Sequence, residues 1–173
     1  RKILGVKDSS DKADKSEHAK HDGKSKGKNK PKVLNPGEHG IDPAMVSNNA
    51  IRVTQTLQEH GFKAFIVGGA VRDLLLGIKP KDFDVATNAT PEQVKRLFRR
   101  AFIIGRRFQI VHVMFGQDLI EVTTFRGAAK NDAPTDEHGR VLRDNTFGEQ
   151  HEDAARRDFT VNAMYYDPAS QTV

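Results

Sequence analysis

"FIVGGAVRDLLLGIKPKDFDVAT", residues 65–87, decides how the rest of the chain is read. "KAFIVGG" reads as a buried strand entering a turn, "AVRDLLLG" as a short helix closed by Gly77 and Pro80, and "DFDVAT" as a second strand. In a strand, residues i and i+2 share a face, so Asp82 and Asp84 are expected to point the same way. Two like charges that close repel each other, and a fold gains nothing from the pair alone. Something positive is expected between them.

A further carboxylate strengthens that expectation. Glu121 lies in the apolar segment "LIEVTTF", where a charge is costly unless it is paired or bound to a cation. Asp82, Asp84 and Glu121 converging from two strands make a hard-oxygen site of the kind that holds magnesium. Two such ions about 4 Å apart can activate an attacking hydroxyl and steady a leaving phosphate. The plainer alternative is two surface aspartates paired with Lys79 and Lys81.

Gly68-Gly69 stands after one strand and before a helix, where glycine lets the backbone approach a ligand closely. The free N–H groups of a helix start suit an anion such as a triphosphate. This is neither a Walker loop nor the dinucleotide-binding glycine spacing. Arg72, one turn in, can reach a phosphate or pair on the helix surface with Asp73. In "RRDFTVNA", residues 156–163, Arg156 and Arg157 can clamp phosphates and Asp158 can orient an arginine or join the acidic site. The alternative there is a helix-surface salt-bridge group with Glu152 and Asp153. Phe108, Phe115 and Phe125 read as core rather than base-stacking platforms, and "GRRFQ", residues 105–109, adds two basic side chains without an evident target.

Order is expected from Val33–Ile41 onward. Asp42 and Pro43 suit the start of a helix on which Val46, Ala50, Val53 and Leu57 recur at helical spacing until Gly61. Thr90-Pro91-Glu92-Gln93 is a capping box with proline at the first helical position. "FIIG", "FQIVHVMFG" and "DLIEVTTF" read as a hairpin or meander, residues 127–145 as a polar loop, and "EQHEDAARRDFTVNAMYY" as helical with a break near Phe159–Thr160. The sum is a mixed sheet with helices packed against it.

The chain has 173 residues, room for one domain with a core plus a tail. It has no cysteine, so it holds neither disulfides nor a cysteine-based zinc site, which suits a cytoplasmic location. No apolar run approaches the roughly 20 residues of a membrane helix. Residues 1–32 hold 11 of the 28 Lys and Arg and 5 of the 23 Asp and Glu, leaving 17 basic and 18 acidic residues for 33–173. The net charge of +5 therefore resides in the tail. Residues 1–32 bury too little to order themselves and read as a disordered basic tail that can lie along RNA phosphates or serve as a solubilising linker. The first residue is not Met, so residues upstream are expected.

Taken in order, "VGGAVRDLLLG", "IKPKDFDVAT", "IEVTTFRG" and "RRDFTVNA" resemble the catalytic head of class II nucleotidyltransferases, the superfamily of bacterial poly(A) polymerases and CCA-adding tRNA nucleotidyltransferases. The resemblance covers about residues 40–170. "KPKDFDVATNATPEQVKRLF" and "IGRRFQIVHVMFG" look closer to the bacterial poly(A) polymerase branch. The resemblance implies an α/β (α+β), polymerase-β-like head with a small mixed, largely antiparallel sheet, and the head domain is expected over residues 33–173, after the basic tail. It implies that Asp82 and Asp84 ligate Mg2+, with two ions expected. It also implies that Gly68, Gly69 and Arg72 contact the incoming nucleotide, and that Arg157 and Asp158 belong to the active site. Glu121 is added as a third carboxylate by its place in the strand. The activity implied is template-independent addition of AMP from ATP to RNA 3′ ends. CCA addition to tRNA, a non-catalytic RNA-binding module and a purely structural domain, for which the three motifs would have to coincide by accident, are the alternatives. That family continues into helical neck, body and tail regions, so a chain ending at "YYDPASQTV" is expected to be a piece of a longer protein.

Overall fold

The computed structural model describes residues 30–127 and 146–173. The basic tail up to residue 29 and nearly all of the polar stretch 127–145 lie outside the described residues. The elements are α1 (Pro36–His39), a 3-10 turn (Pro43–Met45), α2 (Asn48–Glu59), β1 (Ala64–Val67), α3 (Gly69–Leu75), β2 (Asp84–Thr87), α4 (Pro91–Leu97), β3 (Ala101–Ile104), β4 (Ile110–Phe115), β5 (Asp118–Thr124), α5 (Gln150–Ala155), a 3-10 turn (Thr160–Asn162) and β6 (Tyr165–Tyr166). The six strands form one sheet in the order β3-β4-β5-β2-β1-β6. Among the described residues, only β2 and β5 pair in parallel; the other strand pairs are antiparallel. This is the mixed, largely antiparallel sheet that the resemblance implied.

Alternation along the strands divides the sheet into two faces. On one, Ile66, Val85, Ile120, Val122, Val111 and Val113 are buried against the apolar sides of the helices. α2 contributes Ala50, Val53 and Leu57, α3 contributes Val71 and Leu74, and α4 contributes Val94. Burying a leucine such as Leu57 contributes about 1.5–3 kcal/mol. The opposite face is covered over only part of its area, where Phe65, Val67, Ala86, Phe125 and Tyr165 cluster with Ala154 of α5.

Local chemistry accounts for most boundaries. The Thr90 hydroxyl accepts the Gln93 N–H and the Gln93 side chain returns to the Thr90 N–H, completing the capping box. Gly61, at φ 83°, ends α2 in the left-handed region. Two expectations need correction. Asp42 caps only the 3-10 turn, accepting the Ala44 N–H at 2.9 Å, and α2 starts anew with Ser47 as its cap, so Val46 stands outside the helix. The segment 149–166 is α-helical only through Ala155, with a single 3-10 turn at Thr160–Asn162 after it. It ends as β6, whose Tyr165 and Tyr166 pair with Val67 and Ile66. Aromatic side chains prefer a half-buried sheet to a helix surface, and the open edge of β1 offers one. The described chain closes on itself, with Leu34 and Val173 exchanging backbone hydrogen bonds at 2.7 and 3.0 Å.

Candidate active site

The acidic residues collect where β2 and β5 run in parallel. Asp84 is the Cα partner of Glu121, so two carboxylates stand side by side on the partly open face. Asp82 lies two residues before Asp84, just outside the strand, and the buried Phe83 between them points the other way. Thus the alternation expected of "DFD" holds although β2 begins only at Asp84. Burial, then the charge of Glu121, then that of Asp82, raise the Asp84 pKa; Arg157 acts in the opposite sense. The residue itself remains exposed, so a ligand can reach it. On the far side of Glu121, His112 is its Cα partner and brings Nε2 to 3.6 Å from the carboxylate.

Gly68 and Gly69 turn the chain beside this row. Gly68 adopts φ 72° and ψ −139°, a conformation reserved for glycine. A Cβ on it would sit 3.6 Å from Nη1 of Arg157, and one on Gly69 would sit 3.3 Å from Nη2 of Arg72. Two guanidiniums therefore lie directly against the Gly-Gly turn.

Each is held by a different set of partners. Arg72 donates to the Asp73 carboxylate at 3.0 and 3.1 Å and to the Asn162 side-chain oxygen at 3.2 Å. Arg157 donates to Asp153 at 3.1 Å, to the Tyr165 hydroxyl at 3.3 Å and to the Asn162 backbone carbonyl at 3.2 Å. Asn162 thereby joins the two arginines through its side chain and its main chain. Burial works against the Arg157 charge, but Tyr165 and Asp153 outweigh it and raise its pKa. Asp153 is buried and also accepts the Tyr165 hydroxyl at 2.5 Å and the Arg126 backbone N–H at 3.0 Å. A cavity of about 210 Å³ opens here, lined by Thr123, Thr124, Arg126, Asp153, Arg156 and Arg157.

The structure thus brings together Asp84 and Glu121, and beside them Gly68, Gly69, Arg72 and Arg157. It sets Asp158 apart: that residue is exposed on the turn after α5, and its carboxylate accepts the neighbouring Phe159 N–H at 2.9 Å. Phe125 is core as expected, while Phe108 is half-buried under the guanidinium of Arg126, 4.4 Å from its ring centre. Asp153, Asn162 and His112 carry more of the site than the sequence reading assigned them. The i, i+4 spacing of Asp153 and Arg157 was a usable signal. So was the polar His112 in the apolar "IVHVMF", at the same strand period as Glu121.

Among the described residues, no group of three or more His, Asp or Glu side chains stands ready to hold a metal ion. The donor chemistry nonetheless suits magnesium, which is commonly held by one or two carboxylates with substrate phosphates and water completing the shell. Beside burial, the larger cause, repulsion from Glu121 and Asp82 raises the Asp84 pKa, and a bound cation would relieve that repulsion. Among the described residues, no helix is long and apolar enough to cross a membrane.

This sheet, with its acid pair and Gly-Gly turn, defines a nucleotidyltransferase head. The chain belongs to the family described as "Poly A polymerase head domain", which matches residues 64–173. It is 52% identical over 147 residues to poly(A) polymerase I of Haemophilus influenzae, covering 82% of this chain and 32% of that protein. It is 40% identical over 119 residues to the CC-adding tRNA nucleotidyltransferase of Halalkalibacterium halodurans, covering 69% of this chain and 26% of that one. Among solved structures it is similar to the Bacillus stearothermophilus CCA-adding enzyme in complex with CTP, with a TM-score of 0.55, 38% identity, and 72% and 28% of the two chains covered. The chain spans about a third of the length of the curated poly(A) polymerases it matches.

Proposed function

We propose that this chain carries the transfer centre of a bacterial poly(A) polymerase, adding AMP from ATP to RNA 3′ ends without a template. The observation that carries the reading is the pairing of Asp84 with Glu121 beside a Gly-Gly turn backed by Arg157. Higher identity to poly(A) polymerase I than to the tRNA-tailing relatives favours AMP as the unit added.

In this reading the RNA 3′-hydroxyl oxygen attacks the α-phosphorus of ATP and gives up its proton to solvent. The bond from that phosphorus to the bridging oxygen breaks, and pyrophosphate leaves with the charge. Asp82 and Asp84 would hold Mg2+, which when bound makes the hydroxyl more acidic and neutralises the leaving group. Glu121 adds negative charge on the second strand, fixing where a cation is favourable. Gly68 and Gly69 let the triphosphate approach the backbone, and Arg72 and Arg157 meet its oxygens in an orientation set by Asn162 and Asp153. Asp158, exposed and next in sequence to Arg157, is kept as a catalytic candidate on the family resemblance. The basic tail, residues 1–32, adds phosphate contacts, and the enzyme works in the cytoplasm.

The test is incubation of the chain with Mg2+, a single-stranded RNA primer and either ATP or CTP. A ladder with ATP that Asp82→Ala or Asp84→Ala abolishes supports the assignment. Addition from CTP at equal rate turns it toward the tRNA-tailing relatives. Undiminished transfer by either aspartate variant overturns it.

A further inference from the structure

The cross-strand row that holds Asp84 and Glu121 does not stop at them. Cα partners continue from Glu121 to His112 on β4 and from His112 to Phe102 on β3. Residues paired in this way share a face, so Phe102 stands on the same side of the sheet as the acid row. It is 52% exposed, and Ile104, two residues on and on the same face, is 43% exposed. β3 is the edge of the sheet.

Two large apolar side chains left open on an edge strand expose the fold to wrong pairing unless they serve a partner. The chemistry around them selects which. Arg99 and Arg100 precede the strand, Arg106 and Arg107 follow it, and all four are exposed. Residues 94–117 contain six Lys and Arg and no Asp or Glu. An aromatic face among cations matches a single-stranded polynucleotide, whose bases stack while its phosphates meet guanidiniums. An apolar protein strand would gain nothing from the four exposed arginines that bracket β3.

We infer that the open face of β3, centred on Phe102 and bracketed by these arginines, binds the single-stranded RNA immediately upstream of the reacting 3′ end. This rests on the transferase reading above. Strands lie about 4.8 Å apart, so β3 is roughly 14 Å from Asp84 across three spacings. With a stacked rise of about 3.4 Å, the bases that reach Phe102 lie within about four nucleotides of the end. The strand of RNA crosses His112 on the way.

The experiment uses the full chain and a short single-stranded RNA carrying one 5-iodouridine, placed in turn at each of the four 3′-terminal positions. AMP transfer from ATP is measured on the same samples. Irradiation is expected to crosslink Phe102 at one of these positions. Phe102→Ala, a change at an exposed site, should lower crosslinking to residues 99–107 and raise the KM for primer at least about fivefold, the scale of one lost base stack. Phe102→Tyr should restore both. Crosslinks that map only outside residues 99–107, or a Phe102→Ala protein with unchanged primer KM, overturn the platform. Transfer that persists with crosslinks elsewhere sinks the platform alone. Crosslinking at Phe102 without transfer, in this chain and in the full-length protein alike, supports the platform and sinks the transferase reading.

Discussion

Asp153 and Tyr165 are twelve residues apart in sequence, and the tyrosine hydroxyl donates to the aspartate at 2.5 Å. That bond ties α5 to β6, and Arg157 is held between its two members. Burial and the bond to Asp153 push the Tyr165 pKa far above the ordinary phenol range, so the hydroxyl stays a donor throughout the working pH range.

Tyr165→Phe removes one donor to a carboxylate that keeps two others, and should cost about 1–2 kcal/mol. Asp153→Ala strands the half-buried Arg157 and should cost about 3–5 kcal/mol. Urea unfolding of both variants checks the order. Equal losses would show that Asp153 is not the hub of the network.

Asp84→Asn should trade activity for stability. Its pKa in the folded chain is raised, first by burial and then by Glu121 and Asp82. A carboxyl whose folded pKa lies above its unfolded value contributes most below the unfolded pKa, and loses that contribution as pH rises through the folded pKa. At neutral pH the ionised Asp84 therefore destabilises the fold. Asp84→Asn should melt higher than the parent at pH 7, with the gap shrinking on acidification through the carboxylate range. Thermal melts between pH 3 and 7 decide it, and a lower Tm at pH 7 counts against it.

Magnesium should stabilise the parent chain by relieving the same repulsion, and Asp84→Asn should lose most of that gain. Melting curves with and without Mg2+ read this directly. An equal Mg2+-dependent shift in both proteins would place the ion elsewhere.

Gly68→Ala should cost about 1–2 kcal/mol through its φ of 72° rather than through a clash, since a methyl there meets only Arg157 at 3.6 Å. The expected signature is a lower Tm together with a raised KM for ATP.

Asn162→Ala frees Arg72 from its side-chain bond and leaves the backbone bond to Arg157 intact. Loss of one hydrogen bond to a charged group predicts a KM for ATP about tenfold higher, with little change in Tm. Steady-state kinetics beside a melt separate this from a folding defect.

Much of this was legible in the chain because it depends on near neighbours. The Gly-Gly turn, the capping box at Thr90 and the alternation of Asp82, Phe83 and Asp84 follow from backbone sterics and strand period over a few residues. The acidic nature of the site was legible too, because an unpaired carboxylate in an apolar strand needs a reason. What only the tertiary structure decided involves distant partners. The parallel register of β2 on β5 places Glu121 opposite Asp84. The free edge of β1 recruits Tyr165 and Tyr166 from what read as a helix. Asp153 became the buried hub and Asp158 stayed in solvent, although both sit in one charged run. Which member of such a run is buried depends on where α5 meets the sheet, and that is decided by packing rather than by residue type.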